Sequence, residues 1–393
     1  MSGVRAQRWP VAGPLQDLDR LLLLCAVSLV ALGLVMVASA SMTSADRDMG
    51  EPLYYLLRQS LYLGIGLTAG LICLSIPLDV WERSSFLLLI FAYLLLISVL
   101  IPGVGREVNG STRWLPIGPV NLQVSEPARL LILMFVAGYV SRRANELSSS
   151  AAGFFKPMGL VLAACALLLL EPDFGAATVL MATAMAVLFA GGVRLRYFFA
   201  VLAPIIAGFA LLAITSPYRL RRLTGFLDPW ADPYDSGFQL TQSLIAIGRG
   251  EWTGVGLGGS VQKLFYLPEA HTDFVFAVFA EEFGLLGVIL LVSLYGLLLV
   301  RTLGVAVRCA RAGQLFSACL TFGLGAWLGA QALVNIGVNM GLLPTKGLTL
   351  PLMSFGGSSL IICCAAIGII LRADLECRRA TNRPASRRGG ARS

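Results

Sequence analysis

Runs of about 20 mostly apolar residues recur along the whole chain, and a segment of that kind has one low-energy solution, a helix that crosses lipid with every backbone hydrogen bond closed internally. Ten runs can be counted: Leu21–Met42, Leu53–Ser75, Phe86–Ile101, Ala128–Val140, Met158–Leu170, Ala176–Gly191, Tyr197–Thr215, Phe274–Val300, Leu315–Met340 and Leu360–Leu371. Pro, Gly or charge clusters separate every adjacent pair. Only 13% of the 393 residues are charged and the mean hydropathy is +0.79, whereas soluble domains carry roughly a quarter charged residues. A soluble protein, a disordered chain, a coiled coil and a nucleic-acid-binding domain are thereby excluded. The expected fold is an all-α integral membrane protein of ten transmembrane helices with both termini on one side.

The charges orient it. With the N-terminus in the cytoplasm, 19 of the 30 basic residues fall inside against 7 of the 22 acids, a net of +12 inside and −4 outside. Short inside loops hold Arg142, Arg143, Lys156, Arg194, Arg196, Arg301, Arg308 and Arg311, the bias that fixes orientation. The division of the chain is then a cytoplasmic tail over 1–19, a membrane domain over 20–372 and a basic cytoplasmic tail over 373–393, which suits anionic lipid without any nucleic acid. The first run, although preceded by Arg5 and Arg8, is too long for a signal-peptide core. All eight cysteines fall in spans or on the cytoplasmic side, leaving none for an external disulfide. With His271 the only histidine and no CxxC, a zinc site is not expected, and any metal would be a hard cation on carboxylate and substrate oxygens.

The longest connection is the outer loop 216–272 between spans seven and eight, and long loops in compact proteins commonly carry function. Within it, Phe238, Leu244, Ile245 and Ile247 suit one face of a short helix, either lying at the outer membrane surface or packed on the bundle. Two further outer loops, 102–125 and 341–359, bring polar residues to the same side. No internal repeat of the secondary-transporter kind is visible.

Ionisable groups at the membrane edge are functional candidates by default. Arg129 lies at the outer end of span four, Asp273 opens span eight, and Glu281 and Glu282 lie two to three turns deeper. Asp273 reads either as a helix cap or as a carboxylate able to take a proton from a sugar hydroxyl at the membrane rim. Glu281 or Glu282 reads as an ion-pair partner for Arg129, backed by a polar cavity. Arg113 and Lys346, on outer loops, suit an anionic lipid head group, Arg with forked hydrogen bonds and Lys as a mobile point charge.

Pro229-Trp230, Gly237-Phe238-Gln239-Leu240-Thr241-Gln242-Ser243, Leu267-Pro268-Glu269-Ala270-His271-Thr272-Asp273-Phe274, Pro344-Thr345-Lys346-Gly347-Leu348-Thr349-Leu350-Pro351 and Gly356-Gly357-Ser358-Ser359 together resemble the shape, elongation, division and sporulation family of membrane proteins. The resemblance runs from about Asp19 to Arg372. It implies a peptidoglycan glycosyltransferase that polymerises lipid II at the outer face of the bacterial cytoplasmic membrane, at the division septum. Its implied partners are the class B penicillin-binding transpeptidase FtsI and the divisome regulators FtsQ, FtsL and FtsB. Asp273 matches the family's loop aspartate, Arg113 its Arg-Trp arginine and Lys346 its Pro-Thr-Lys-Gly lysine. Arg129 stands where the family usually has lysine, in Ser125-Glu126-Pro127-Ala128-Arg129, and Phe355 replaces a common tyrosine. Arginine keeps the charge and removes any role that needs a neutral amine. Glu126, Lys263, His271 and Glu281 join Arg113, Arg129 and Lys346 as substrate-binding candidates.

The chemistry implied is proton abstraction by Asp273 from the acceptor sugar's 4-hydroxyl and attack on the donor's anomeric carbon with inversion. Pyrophosphate leaves, its charge neutralised by Arg113, Arg129 and Lys346 or by a divalent cation, Mg or Mn. Two other classes stand beside this reading, a flippase for lipid II and a non-catalytic scaffold for the transpeptidase. A flippase needs polar residues through the full depth of the bundle, and here they gather at the outer third.

Overall fold

A computed structural model describes residues 18–108, 111–118, 120–215, 228–234, 237–344 and 347–381. The chain forms α1 (Arg20–Met49), α2 (Tyr54–Ser75) and α3 (Leu78–Leu100), three short strands, then α4 (Ser125–Ser149), α5 (Ala151–Leu170), α6 (Phe174–Ala190) and α7 (Leu195–Thr215). After these come α8 (Phe238–Arg249), α9 (Val275–Arg311), α10 (Leu315–Asn339) and α11 (Gly357–Thr381). Each of the ten apolar runs coincides with one of these helices, overrunning it by at most one residue. Among the described residues α1, α2, α3, α5, α9 and α10 are long and apolar enough to cross a membrane, so the chain is a multi-pass helical membrane protein.

Lipid-facing and buried sides differ as membrane packing requires. Leu57, Leu61 and Leu71 of α2 and Leu87, Phe91 and Leu94 of α3 are exposed, a cost in water and none in hydrocarbon. Inward, α2 meets α11 through small residues four apart. Cβ atoms added at Gly70 and Gly368 would stand 2.9 Å from the Cys364 carbonyl and 2.2 Å from the Gly70 carbonyl, so only glycine allows this approach of two helix backbones. α11, α10 and α4 form the buried centre, where Leu133, Val136, Leu320, Leu324, Leu328, Ile369 and Ile370 make an apolar middle layer.

Polar groups sit at the two ends of this layer. At the end away from Asp273, Asp19 caps α1 by accepting from the Leu22 amide (3.1 Å). Its Oδ2 also accepts from Arg301 Nη2 at 2.6 Å and Arg308 Nη2 at 3.4 Å, while Arg308 reaches Asp374 at 2.7 Å. Cys309 and Cys377 are joined by a disulfide beside this network, tying α9 to α11. The expectation of no external disulfide does not cover this pair, which lies at the α1 N-terminal end.

Three features depart from the sequence reading. The loop 102–125 is not purely irregular: β1 (Arg106–Val108), β2 (Ser111–Ile117) and β3 (Val120–Gln123) form an antiparallel sheet in the order β1-β2-β3, with Trp114 opposite Gln123. The all-α expectation overlooks it because strands this short carry too few alternations to register as a period. Helix α8 takes the second of its two expected positions, packed on the bundle, but its buried face is Leu240, Thr241, Ser243 and Ala246, while Ile245 of the expected apolar face is exposed. Finally, α9 begins at Val275 and breaks at Gly284 (φ 64°), so Asp273 precedes the helix rather than opening it.

Candidate active site

The α9 break brings the outer loop into the membrane edge. Interrupting a helix frees amides and carbonyls that lipid cannot satisfy, and the loop satisfies them. Val255 and Gly256 donate to the Glu281 and Glu282 carbonyls at 3.0 and 3.1 Å, and Leu285 and Leu286 donate to the Glu251 and Trp252 carbonyls at 2.9 and 3.1 Å. The Glu281 and Glu282 side chains extend the same seam. Glu281 accepts from Arg249 Nη1 (3.1 Å), Ser260 Oγ (2.5 Å) and the Val261 amide (3.1 Å). Glu282 accepts from Lys263 Nζ (2.8 Å) and Ser39 Oγ (2.6 Å). The predicted pairing of Arg129 with Glu281 or Glu282 is therefore replaced by a loop staple. Spacing along α9 could not reveal that loop residues fold back to claim both carboxylates.

Arg129 has other partners. It is buried, donates from Nη1 to Gln331 Oε1 at 2.7 Å, lies 3.5 Å from Glu126 and covers the Trp327 ring at 5.2 Å. Gln331 starts a ladder of amides one turn apart on α10 that the sequence reading missed, since it weighed only ionisable groups. Its Nε2 donates to the Thr349 carbonyl at 3.0 Å. Asn335 Nδ2 donates to the carbonyls of Leu348 (2.6 Å) and Asp273 (2.9 Å), and Asn339 Nδ2 to that of Asp273 (3.0 Å). Residues four apart share a helix face, so one stripe of α10 fixes the backbone of the catalytic candidate and of segment 347–350 together. The periodicity of Trp327, Gln331, Asn335 and Asn339 within an apolar helix is the signal that would have found it.

Asp273 itself is half-buried. A Cβ added at Gly347 would lie 3.2 Å from its Oδ2, so glycine leaves open the space before the carboxylate. Burial pushes its pKa up to about 7, Glu269 adds to the rise, and the charge of Arg113 opposes it. Beside it, His271 packs against Tyr55 (4.5 Å) and Phe355 (5.5 Å), and burial holds its pKa below the ordinary value against the pull of Glu269. It is a neutral ring in an aromatic rim.

The far wall is the β-sheet and the α5–α6 turn. Arg113 on β2 stands 3.8 Å from Asp173, with its side chain 25% exposed. Asp173 caps α6 through the Ala176 amide (3.0 Å) and accepts from Ser125 Oγ (3.0 Å) and Gln123 Nε2 (3.3 Å). The Gln123 amide donates to Ser358 Oγ at 2.8 Å, docking the sheet on the start of α11. Glu171 and Asp173 are ionisable groups at a span edge that sequence reasoning passed over. The structure thus brings Asp273, Arg113, Glu126 and Arg129 to one polar end of the bundle with His271 at its rim. Lys263 and Glu281 are packed inside the loop seam, and Lys346 lies outside the described residues. Among the described residues no group of three or more His, Cys, Asp or Glu side chains gathers to hold a metal.

A membrane-embedded helical bundle with Asp273 and the partly exposed Arg113 at one polar end is an integral membrane protein with a candidate active site at that end. The family model described as cell cycle protein, covering FtsW, RodA and SpoVE, matches residues 19–379, and the chain belongs to that family. Among its relatives, the probable peptidoglycan glycosyltransferase FtsW of Thioalkalivibrio sulfidiphilus is 58% identical over 92% of this chain and 90% of that protein. The one so named in Hahella chejuensis is 54% identical over 91% and 90%. Among solved structures, a chain of a peptidoglycan synthase complex described as coordinating polymerization and crosslinking superposes with a TM-score of 0.76 at 33% identity, over 93% of this chain and 99% of that one. The rod shape determining protein RodA of Thermus thermophilus gives 0.66 at 30% identity over 91% and 96%.

Proposed function

We propose that this chain is a peptidoglycan glycosyltransferase of septal wall synthesis, polymerising lipid II at the outer face of the bacterial cytoplasmic membrane through ten spans with both termini inside. The observation that carries the reading is Asp273, a carboxylate held by its backbone on the α10 amides, half-exposed, titrating near neutrality and facing the field of Arg113. A base whose pKa lies close to the working pH combines a useful ionised fraction with real affinity for the proton. It takes the acceptor's 4-hydroxyl proton as that oxygen attacks the donor's anomeric carbon from the face opposite the pyrophosphate. Arg113, partly exposed and 3.8 Å from Asp173, meets the leaving pyrophosphate. Arg129, buried and engaged, adds positive potential from behind, and Lys346 is proposed as a further cation for the leaving group on the strength of its sequence motif. Any Mg or Mn ion would travel with the substrate's pyrophosphate, and no step here passes through it.

Among the described residues, the apolar layer of Leu133, Leu324, Leu328 and Ile369 below Arg129 speaks against a polar path of the kind a flippase needs. The likeness to a chain of a peptidoglycan synthase complex supports a class B penicillin-binding transpeptidase, FtsI, as partner, and the FtsW relatives support the septum as the place and FtsQ, FtsL and FtsB as regulators. Polymerisation of purified lipid II by the purified protein, with and without the transpeptidase and a chelator, tests the reading; no glycan product in any arm would contradict it.

A further inference from the structure

Glu171 closes α5 at the wall of the cleft and is 0% exposed, and neither of its carboxyl oxygens has a hydrogen-bond partner. Two residues on, Asp173 is fully engaged by the Ala176 amide, Ser125 and Gln123. The cation of this wall is Arg113, 3.8 Å from Asp173 and partly exposed. An ionised carboxylate buried without donors costs several kcal/mol, so Glu171 keeps its proton while Asp173 carries the charge.

We propose that Glu171 is a positioning residue for glycosyl transfer, and that its proton decides whether the Arg113 guanidinium turns outward to the donor's pyrophosphate or inward to the Glu171–Asp173 pair. The inference rests on the cleft being the transfer site. With Glu171 neutral, Arg113 faces one carboxylate at a distance too long for a firm ion pair and is free to bind phosphate oxygens. Loss of the proton to solvent places a second negative charge behind Asp173 and draws the guanidinium in. The charged groups that act on Glu171 are Asp173, which with burial pushes its pKa up to about 8, and Arg113, which opposes the rise. Glu126 on α4 acts on the same wall through Asp173, and Asp273 shares the field of Arg113. No bond of the transfer reaction involves Glu171.

The test compares wild type with Glu171→Gln, a permanently neutral side chain of the same shape. Between pH 7 and 9 the wild-type KM for the pyrophosphate-linked donor should rise about tenfold, while kcat changes only by the roughly twofold gain that ionisation of Asp273 brings to both proteins; the KM of the Gln variant should match wild type at pH 7 and stay within about twofold of that value at pH 9. A wild-type-minus-variant difference spectrum, in which the contribution of Asp273 cancels, should show the infrared carbonyl band of a buried protonated carboxyl at pH 7 and lose that band by pH 9, whether or not the protein turns over. An alkaline KM rise that survives in Glu171→Gln, or a difference spectrum without that band, overturns the proposal. Protein that polymerises nothing at any pH but shows the band refutes the assignment of the cleft and leaves the protonation of Glu171 standing.

Discussion

Asp273 is suited to accept a proton because its own proton leaves near neutrality, and each cause of that has a separate handle. The ionised form is the active one, so kcat for polymerisation should climb as pH rises through about 7 and then level off. Glu269→Gln removes a negative charge that raises this pKa, and the half-maximal pH should move to the acid side; a pH–rate profile reads both. Arg129 answers to stability more than to turnover. Arg129→Met leaves the Glu126 carboxylate buried beside no cation, which should cost about 3–5 kcal/mol. Glu126→Gln in the same protein should restore part of the loss in thermal unfolding. The ionisable members of the site could be read from their place at the ends of apolar runs. The amides of α10 could not, since Gln331, Asn335 and Asn339 carry no charge and announce themselves only through the carbonyls that other segments bring to them.

The break in α9 is the element that makes a site out of a transmembrane helix. Gly284 takes φ 64°, and a Cβ there would stand 2.4 Å from the Gly254 amide and 2.7 Å from the Gly250 carbonyl. Gly284→Ala should therefore loosen the loop and lower stability, with at least about 1–3 kcal/mol from the backbone conformation alone. A lower melting temperature and faster limited proteolysis within 250–263 would show it. Helix positions were legible because apolar runs of 12 to 27 residues, set off by Pro, Gly or charge clusters, leave a backbone in lipid few alternatives. The β-sheet was not, because Pro116 and Gly118 interrupt strands of only three to seven residues. Nor was the fate of Glu281 and Glu282, which depends on a fold-back of the loop that no helical spacing encodes.

At the scale of the molecule, polar chemistry at one end and a cation-rich ion network at the other are held apart by an apolar layer, and the proposed orientation, with Asp273 outside, rests on the surplus of basic residues in the loops of the second end. A cysteine at Tyr234, which is 91% exposed, should react with a membrane-impermeant thiol reagent in intact spheroplasts. One at Arg83, whose side chain is 77% exposed, should react only after permeabilisation; the reverse pattern would invert the topology and place Asp273 in the cytoplasm. The most direct test of the enzyme itself is a comparison of purified wild type and Asp273→Asn in lipid II polymerisation, with melting curves run alongside. Glycan chains from wild type and a fall of at least about 100-fold in the variant at unchanged stability are predicted, whereas wild-type rates from a well-folded Asp273→Asn protein would contradict the role of this carboxylate as the base.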